Sequence, residues 1–156
     1  MLEFRPATYD DVELLYRWIN DPQVRKNSFS TDIINFSEHR EWFDKKLKSE
    51  KCKIFIFTLN SEPAGQVRFE ISQDNTAEIG ILINKEFRGK GLASDMLRLA
   101  SEFAVTKLGI RCIWSHIKLD NDISVRAFEK AGYQNKKTIF FKNQKCFELQ
   151  FGDPLL

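Results

Sequence analysis

Apolar and polar residues change their spacing many times along these 156 residues, and each change marks an element. "LEFRP" reads as a short opening strand. In "TYDDVELLYRWIN", Val12, Leu15, Tyr16 and Ile19 recur at helical intervals behind Thr8 and Asp11, which have capping-box spacing; this helix ends between Asn20 and Pro22. "QVRKNSFSTDIINF" has no clean period and is predicted to be a polar loop with at most one turn of helix, of a length that often carries function. "SEHREWFDKKLKSE" predicts a second amphipathic helix capped by Ser37, with Trp42, Phe43 and Leu47 on one side and lysines on the other.

"CKIFIFTL" and "AGQVRFEIS" follow as two strands of an antiparallel hairpin, with the turn in "NSEPAG". "AEIGILIN" is apolar enough to be a central strand. "LASDMLRLASEFAVTKL" then places Leu92, Met96, Leu99, Ala100, Phe103 and Ala104 on a helical stripe, closed by Gly109. "RCIWSHIK" is another strand, "DISVRAFEKAGY" a short helix ended by Gly132, and "KKTIFFKNQKCFELQF" a closing hairpin turning at Asn143 and Gln144. The order β-α-α-β-β-β-α-β-α-β-β contains no linker or repeat and predicts one α/β domain over residues 1–156, a mixed sheet flanked by helices.

Composition narrows the function classes. Hydrophobic residues make up 42% and charged residues 29%, so a folded core is the expectation rather than disorder. A formal charge of +2 gives no argument for nucleic acid. Cys52, Cys112 and Cys146 are odd in number and widely separated, which suits reduced buried thiols, a cytoplasmic setting and no metal site. No leader or membrane-length apolar run is visible, so no membrane partner is expected.

The candidate chemistry starts at "EFRGKGLAS". Arg88, Gly89, Lys90, Gly91, Leu92 and Ala93 join the central strand to a helix N-terminus, where unpaired N–H groups and the helix dipole favour an anion. Glycines let the backbone approach a phosphate, and the two cations add charge. The loop lacks the closing Gly-Lys-Ser/Thr of a Walker motif and the βαβ setting of a dinucleotide fold. It resembles instead the Arg/Gln-x-x-Gly-x-Gly/Ala signature of the GCN5-related N-acetyltransferase (GNAT) family. "LDNDISVRAFEKAGY" is similar to that family's later motif, with Asn121, Ser124, Gly132 and Tyr133 at matching positions.

The resemblance implies a mostly antiparallel GNAT-like sheet and acetyl-CoA as cosubstrate. The pyrophosphate would lie on the 88–93 loop, main-chain groups of Leu82 and Ile83 would pair with pantetheine, and Asn121 and Ser124 would sit close to the cofactor. Direct acetyl transfer to an amine needs a free nitrogen lone pair and a proton for the departing thiolate, and no nucleophilic residue. Three groups are candidates for the base: Glu78 on the central strand, where relatives draw a glutamate, Glu70 on the strand before it, and His116. Many relatives carry a thiolate-protonating tyrosine where this chain has Phe128, near the cofactor. A phenyl ring donates no proton, which leaves water, another hydroxyl such as Tyr133, or no acid at all.

For the acceptor, "YRWINDPQVRKNSFS" and "HREWFDKKL" resemble the subgroup that acetylates nucleotide-linked deoxyamino sugars of pseudaminic acid-type surface-glycan pathways. That resemblance marks Arg25, Asn27, Ser28, Phe29, His39 and Trp42 as the acceptor side, fitted to a small-molecule amine by stacking and charge-assisted hydrogen bonds. The Trp18–Asp21 pattern is shared with acetylases of protein N-termini, so a protein amine remains an alternative. A CoA-binding module without catalysis is another. A homodimer is compatible with such folds.

Overall fold

A computed structural model describes residues 1–153. Seven strands form one sheet in the order β1-β2-β3-β4-β5-β7-β6. They are β1 (Leu2–Pro6), β2 (Cys52–Leu59), β3 (Glu62–Ile71), β4 (Thr76–Ile83), β5 (Cys112–Lys118), β6 (Gln134–Phe141) and β7 (Gln144–Gly152). All neighbouring pairs are antiparallel except β4 and β5. The helices are α1 (Val12–Ile19), α2 (Pro22–Asn27), α3 (Phe36–Lys48), α4 (Leu92–Lys107) and α5 (Asp122–Lys130). The mixed, mostly antiparallel sheet expected from the sequence is present.

Alternation along the strands assigns the two faces. Phe55, Phe57, Val67, Phe69, Ile79 and Ile113 point to one side and form the main core with Met96, Leu97, Ala100 and Ala104 of α4 and Val125 and Phe128 of α5. Leu15, Trp18 and Phe43, from α1 and α3, cover Cys52, Ile54 and Ile56 on the other side. The second face is apolar toward the β1–β2 end, where Leu82 of β4 joins the same cluster. Toward β4, β5 and β7 it carries Arg68, Glu70, Glu78, His116 and Glu148, which fall on one side because they share register: Arg68 opposes Gly80, Glu70 opposes Glu78, and His116 opposes Glu148.

Several local readings are corrected. The stretch after α1 holds a helix, α2, rather than a loop: Asp21 caps it by accepting from the N–H groups of Gln23 and Val24, and Pro22 takes the first position. α3 starts at Asn35, whose Oδ1 accepts from Glu38 N at 2.8 Å, and not at Ser37. The β2–β3 turn is only Asn60–Ser61, both with positive φ, so Pro63 lies within β3, opposite Thr58 beside a bulge at Ala64 of β3. The last hairpin turns at Lys142–Asn143, one residue early, again with both φ positive. Thr8 and Asp11 do meet, the carboxylate accepting from Thr8 N at 2.8 Å, but they close a short 3-10 turn ahead of α1.

Candidate active site

β4 and β5 pair only where Thr76, Ala77 and Glu78 meet Cys112, Ile113 and Trp114. Beyond Glu78 the two strands run in the same direction without pairing among the described residues, while their outer edges stay bonded to β3 and β7. The result is a wedge through the sheet, with main-chain groups of Ile79–Ile83 facing a gap. Such an edge accepts an extended, amide-bearing chain as an added strand. Leu82 and Ile83 lie at the end of β4, at the mouth of this wedge.

The mouth carries the phosphate-type loop. Gly89 and Gly91 have φ of 77° and 73°, a conformation that costs L side chains energy although a Cβ at either position would meet nothing within 4 Å. Their role is to fold the backbone. Gly91 precedes α4 without any side-chain cap, so the first-turn N–H groups of Leu92, Ala93 and their neighbours keep their capacity for an anion. Arg88 is engaged elsewhere: its guanidinium pairs with Asp21 at 2.9 Å and tethers α2 to the loop. Lys90 Nζ lies over the Phe87 ring.

At the second strand-to-helix junction, Asn121 caps α5 by accepting from Ser124 N at 3.3 Å. The junction follows the open end of β5, and the asparagine's carbonyl oxygen serves the helix. Phe128 is expected near the cofactor. Its ring is 3% exposed, edge-on to Tyr133 at 4.9 Å, and belongs to the core rather than to a cofactor surface. Tyr133 is equally unfit as a thiolate acid, because its hydroxyl is buried against Ser101 at 2.7 Å and burial raises its pKa above the usual tyrosine value.

The three candidate bases separate. Glu78 is the last residue of β4 paired with β5, at the apex of the wedge, with its side chain 40% exposed. Glu70 opposes it across β3 but is bound by Lys46 of α3 at 2.9 Å and Arg68 at 3.4 Å, so it organises the sheet's second face. Two carboxylates directly opposite would repel, and these cations offset that repulsion. His116 lies 3.8 Å from Glu78 through Nδ1 and 2.9 Å from Glu148 through Nε2, with Phe141 stacked on its ring at 3.9 Å. Burial opposes charge on His116, but the two carboxylates outweigh it and hold the pKa above the ordinary imidazole value. Burial likewise opposes charge on Glu78, and His116, Lys142 and Arg68 bring its pKa below the usual carboxylate value.

The acceptor-side residues divide as well. Phe29 packs edge-on to Phe141 at 5.3 Å, and its carbonyl accepts from Gln144, which links the loop after α2 to the β6–β7 hairpin beside His116. Arg25 is a loop clamp that donates to the carbonyls of Ile19, Ser30 and Asp32 and to Ser28 Oγ. Ser28 Oγ donates to Val24 O at 2.6 Å. Asn27, half-buried, ends α2. His39 is 1% exposed, bonded to Val12 O and stacked on Phe43, so it is core and not an acceptor ligand. Trp42 is half-buried, with the Arg68 guanidinium 5.2 Å above its ring. Glu148, Phe141 and Asp21 escaped the sequence reading, because their partners lie 32, 25 and 67 positions away.

No cysteine is available as a nucleophile. All three are buried, and burial pushes the Cys52 thiol up to about 11. No cluster able to hold a metal ion occurs among the described residues, and no described helix is long and apolar enough to cross a membrane.

The site thus joins a split sheet, an uncapped helix N-terminus at its mouth and a carboxylate at its apex. Residues 1–134 match the acetyltransferase (GNAT) domain, and the chain belongs to that family. Acetyl-CoA is its cosubstrate. The chain is 25% identical over 134 residues to the spermidine N(1)-acetyltransferase of Escherichia coli K12, covering 85% of this chain and 72% of that protein. Its fold superimposes on the aminoglycoside acetyltransferase AAC(6')-Ib in complex with coenzyme A with a TM-score of 0.85, 20% identity and coverage of 97% and 95%. Spermidine N-acetyltransferase from Vibrio cholerae in complex with CoA and spermine superimposes with a TM-score of 0.86, 22% identity and coverage of 96% and 94%.

Proposed function

We propose that this N-acetyltransferase acts on the primary amine of a nucleotide-linked deoxyamino sugar. The observation that carries this reading is the polarity of the site. Its wedge end presents Glu78, with Glu148 behind it on His116. Its hairpin end presents the Phe29–Phe141 pair with Lys142 Nζ 5.3 Å from the Phe141 ring and Lys118 bonded to Lys26 O nearby. An acceptor whose ammonium docks at the carboxylates and whose diphosphate and base meet lysines and aromatic rings satisfies both ends. The similarity of residues 16–30 and 39–47 to sugar-nucleotide acetylases points the same way, although Arg25 and His39 serve the fold.

The acceptors of the relatives supply the second reading. A polyamine would also dock at Glu78 and Glu148, but it would bring its remaining cations toward Lys26, Lys118 and Lys142. Residues 88–93 hold the pyrophosphate and the β4 edge holds pantetheine, with Glu78 as the group facing the amine.

The test is thiol release from acetyl-CoA with UDP- and dTDP-linked 4-amino-4,6-dideoxy sugars, beside spermidine, an aminoglycoside and N-terminal peptides. Turnover on a sugar nucleotide, lost in Glu78→Gln, supports the reading. Turnover confined to spermidine or peptides overturns the sugar assignment and leaves acetyl transfer intact. Acetyl-CoA binding without turnover on any amine would place the chain among CoA-binding modules.

A further inference from the structure

His116 sits between two carboxylates that the sheet delivers from opposite edges: Glu78 from the end of the β4–β5 pairing, Glu148 from the β5–β7 register. A carboxylate only accepts, so the 2.9 Å contact with Glu148 fixes the proton of the neutral imidazole on Nε2. Nδ1 then carries the lone pair. It is directed to the Glu78 side, has no hydrogen-bond partner and is shielded from solvent, with Phe141 stacked on the ring. A buried acceptor without a donor is costly, and its retention beside an exposed carboxylate calls for an occupant that arrives from that carboxylate. A proton is the one that fits.

We infer that Glu148, His116 and Glu78 form a proton relay in which Glu78 touches the acceptor ammonium and His116, positioned by Glu148, stores the proton. This rests on the acetyl-transfer reading above. The ammonium gives one proton to the Glu78 carboxylate, which passes it to His116 Nδ1. The freed nitrogen lone pair forms the N–C bond to the thioester carbon as the C–S bond breaks. The second nitrogen proton leaves with the sulfur as CoA thiol, which removes the need for an acid at Phe128. The imidazolium returns its proton to solvent through Glu78 once product has left.

The relay places its members unequally. Glu78 alone is a weak base, since neighbouring cations favour its ionised form. Transfer onward to His116 gives the proton a group whose charged form Glu148 stabilises. Other charges face the system from each neighbouring element: Arg68 from β3 and Lys142 from the hairpin turn act on Glu78, and Lys137 of β6 opposes Glu148 in register.

The experiment compares the full-length wild type with Glu148→Gln, Glu148→Asp and His116→Gln. It reads the pH profile of kcat and kcat/KM with the best acceptor, and the His116 imidazole titration by NMR. In Glu148→Gln the titration and the acid limb of kcat should move down together by about one pH unit. kcat should fall about tenfold or more with the acceptor KM little changed, and Glu148→Asp should restore part of both. An acid limb unmoved in Glu148→Gln, or kcat within about twofold of wild type in His116→Gln, overturns the relay. Because His116→Gln also removes the stack with Phe141, the isosteric Glu148→Gln carries the decision if it fails to fold. Silence on every acceptor overturns the transfer reading itself; the imidazole titration, compared with that of Glu78→Gln, still reports whether the three groups are coupled, and an unmoved titration overturns the relay independently.

Discussion

Tyr133 shows how a residue's environment overrides its chemistry. A phenol is a competent acid in water, but this one donates or accepts a single bond with Ser101 inside the core. Tyr133→Phe should leave kcat unchanged and, by orphaning Ser101 Oγ, lower stability by about 1–2 kcal/mol in urea unfolding. A large loss of kcat at unchanged stability would restore the acid role. Gly65 makes the complementary case, where space and not charge decides. A Cβ there would lie 2.6 Å from Leu82 O and 2.7 Å from Met96 Cε. The methionine can rotate away, whereas the carbonyl is held in β4. Gly65→Ala should therefore cost about 1–3 kcal/mol in thermal unfolding, because the strain falls on the backbone pairing between β3 and β4. A loss below about 0.5 kcal/mol would mean the carbonyl yields as readily as the methionine.

At the scale of elements, α2 is too short to be stable alone and depends on its ends. Asp21 caps its first turn and at the same time pairs with Arg88 of the cofactor loop. Asp21→Ala should cost about 1 kcal/mol for the cap. It should also speed amide exchange in residues 22–27 and 88–91 together, as mass spectrometry of exchange would read. Faster exchange in 22–27 alone would mean the Arg88 pair transmits nothing. The β6–β7 hairpin is held in the same manner, through Gln144 to Phe29 O and Phe29 to Phe141, so two elements more than a hundred residues apart in sequence meet beside His116.

The response of the whole molecule to pH follows from opposed shifts. Asp11 is nearly buried, and the hydrogen bond from Arg5 holds its pKa below the usual carboxylate value despite burial. Its contribution is present above the unfolded carboxylate pKa and is lost as pH falls through the folded one. Asp21 and Glu78 act in the same direction. The two histidines oppose each other. Burial lowers His39, whose contribution disappears as pH falls below the unfolded histidine value; His116 is raised, and its contribution disappears as pH rises from that value through its own. Denaturant unfolding should thus show little change from pH 6 to 8 and a steep loss below about pH 4. In Asp11→Asn that acid limb should be shallower and the neutral plateau lower. An acid limb of unchanged slope would remove Asp11 from the account.

Periodicity and turn chemistry were enough to determine the strands, four of the five helices and the glycine loop, because those signals are local: alternation in β2 and β3, a helical stripe in α4, paired glycines before it. The loop and the Asn121–Ser124 junction also carried the resemblance that implied the cofactor, since both motifs are short contiguous stretches. The sequence alone did not show that Glu70 is bound by Lys46 and Arg68, that His116 lies between Glu78 and Glu148, or that Arg25 and His39 are structural. Those outcomes depended on register and burial. Glu78 stands at the apex because β4 and β5 part at that residue; Glu148 reaches His116 because β7 pairs antiparallel with β5; Arg25 is spent on three carbonyls because the chain after α2 folds back over it. Long-range pairing leaves no periodic trace in a single sequence, so the composition of the site was settled only when the sheet closed.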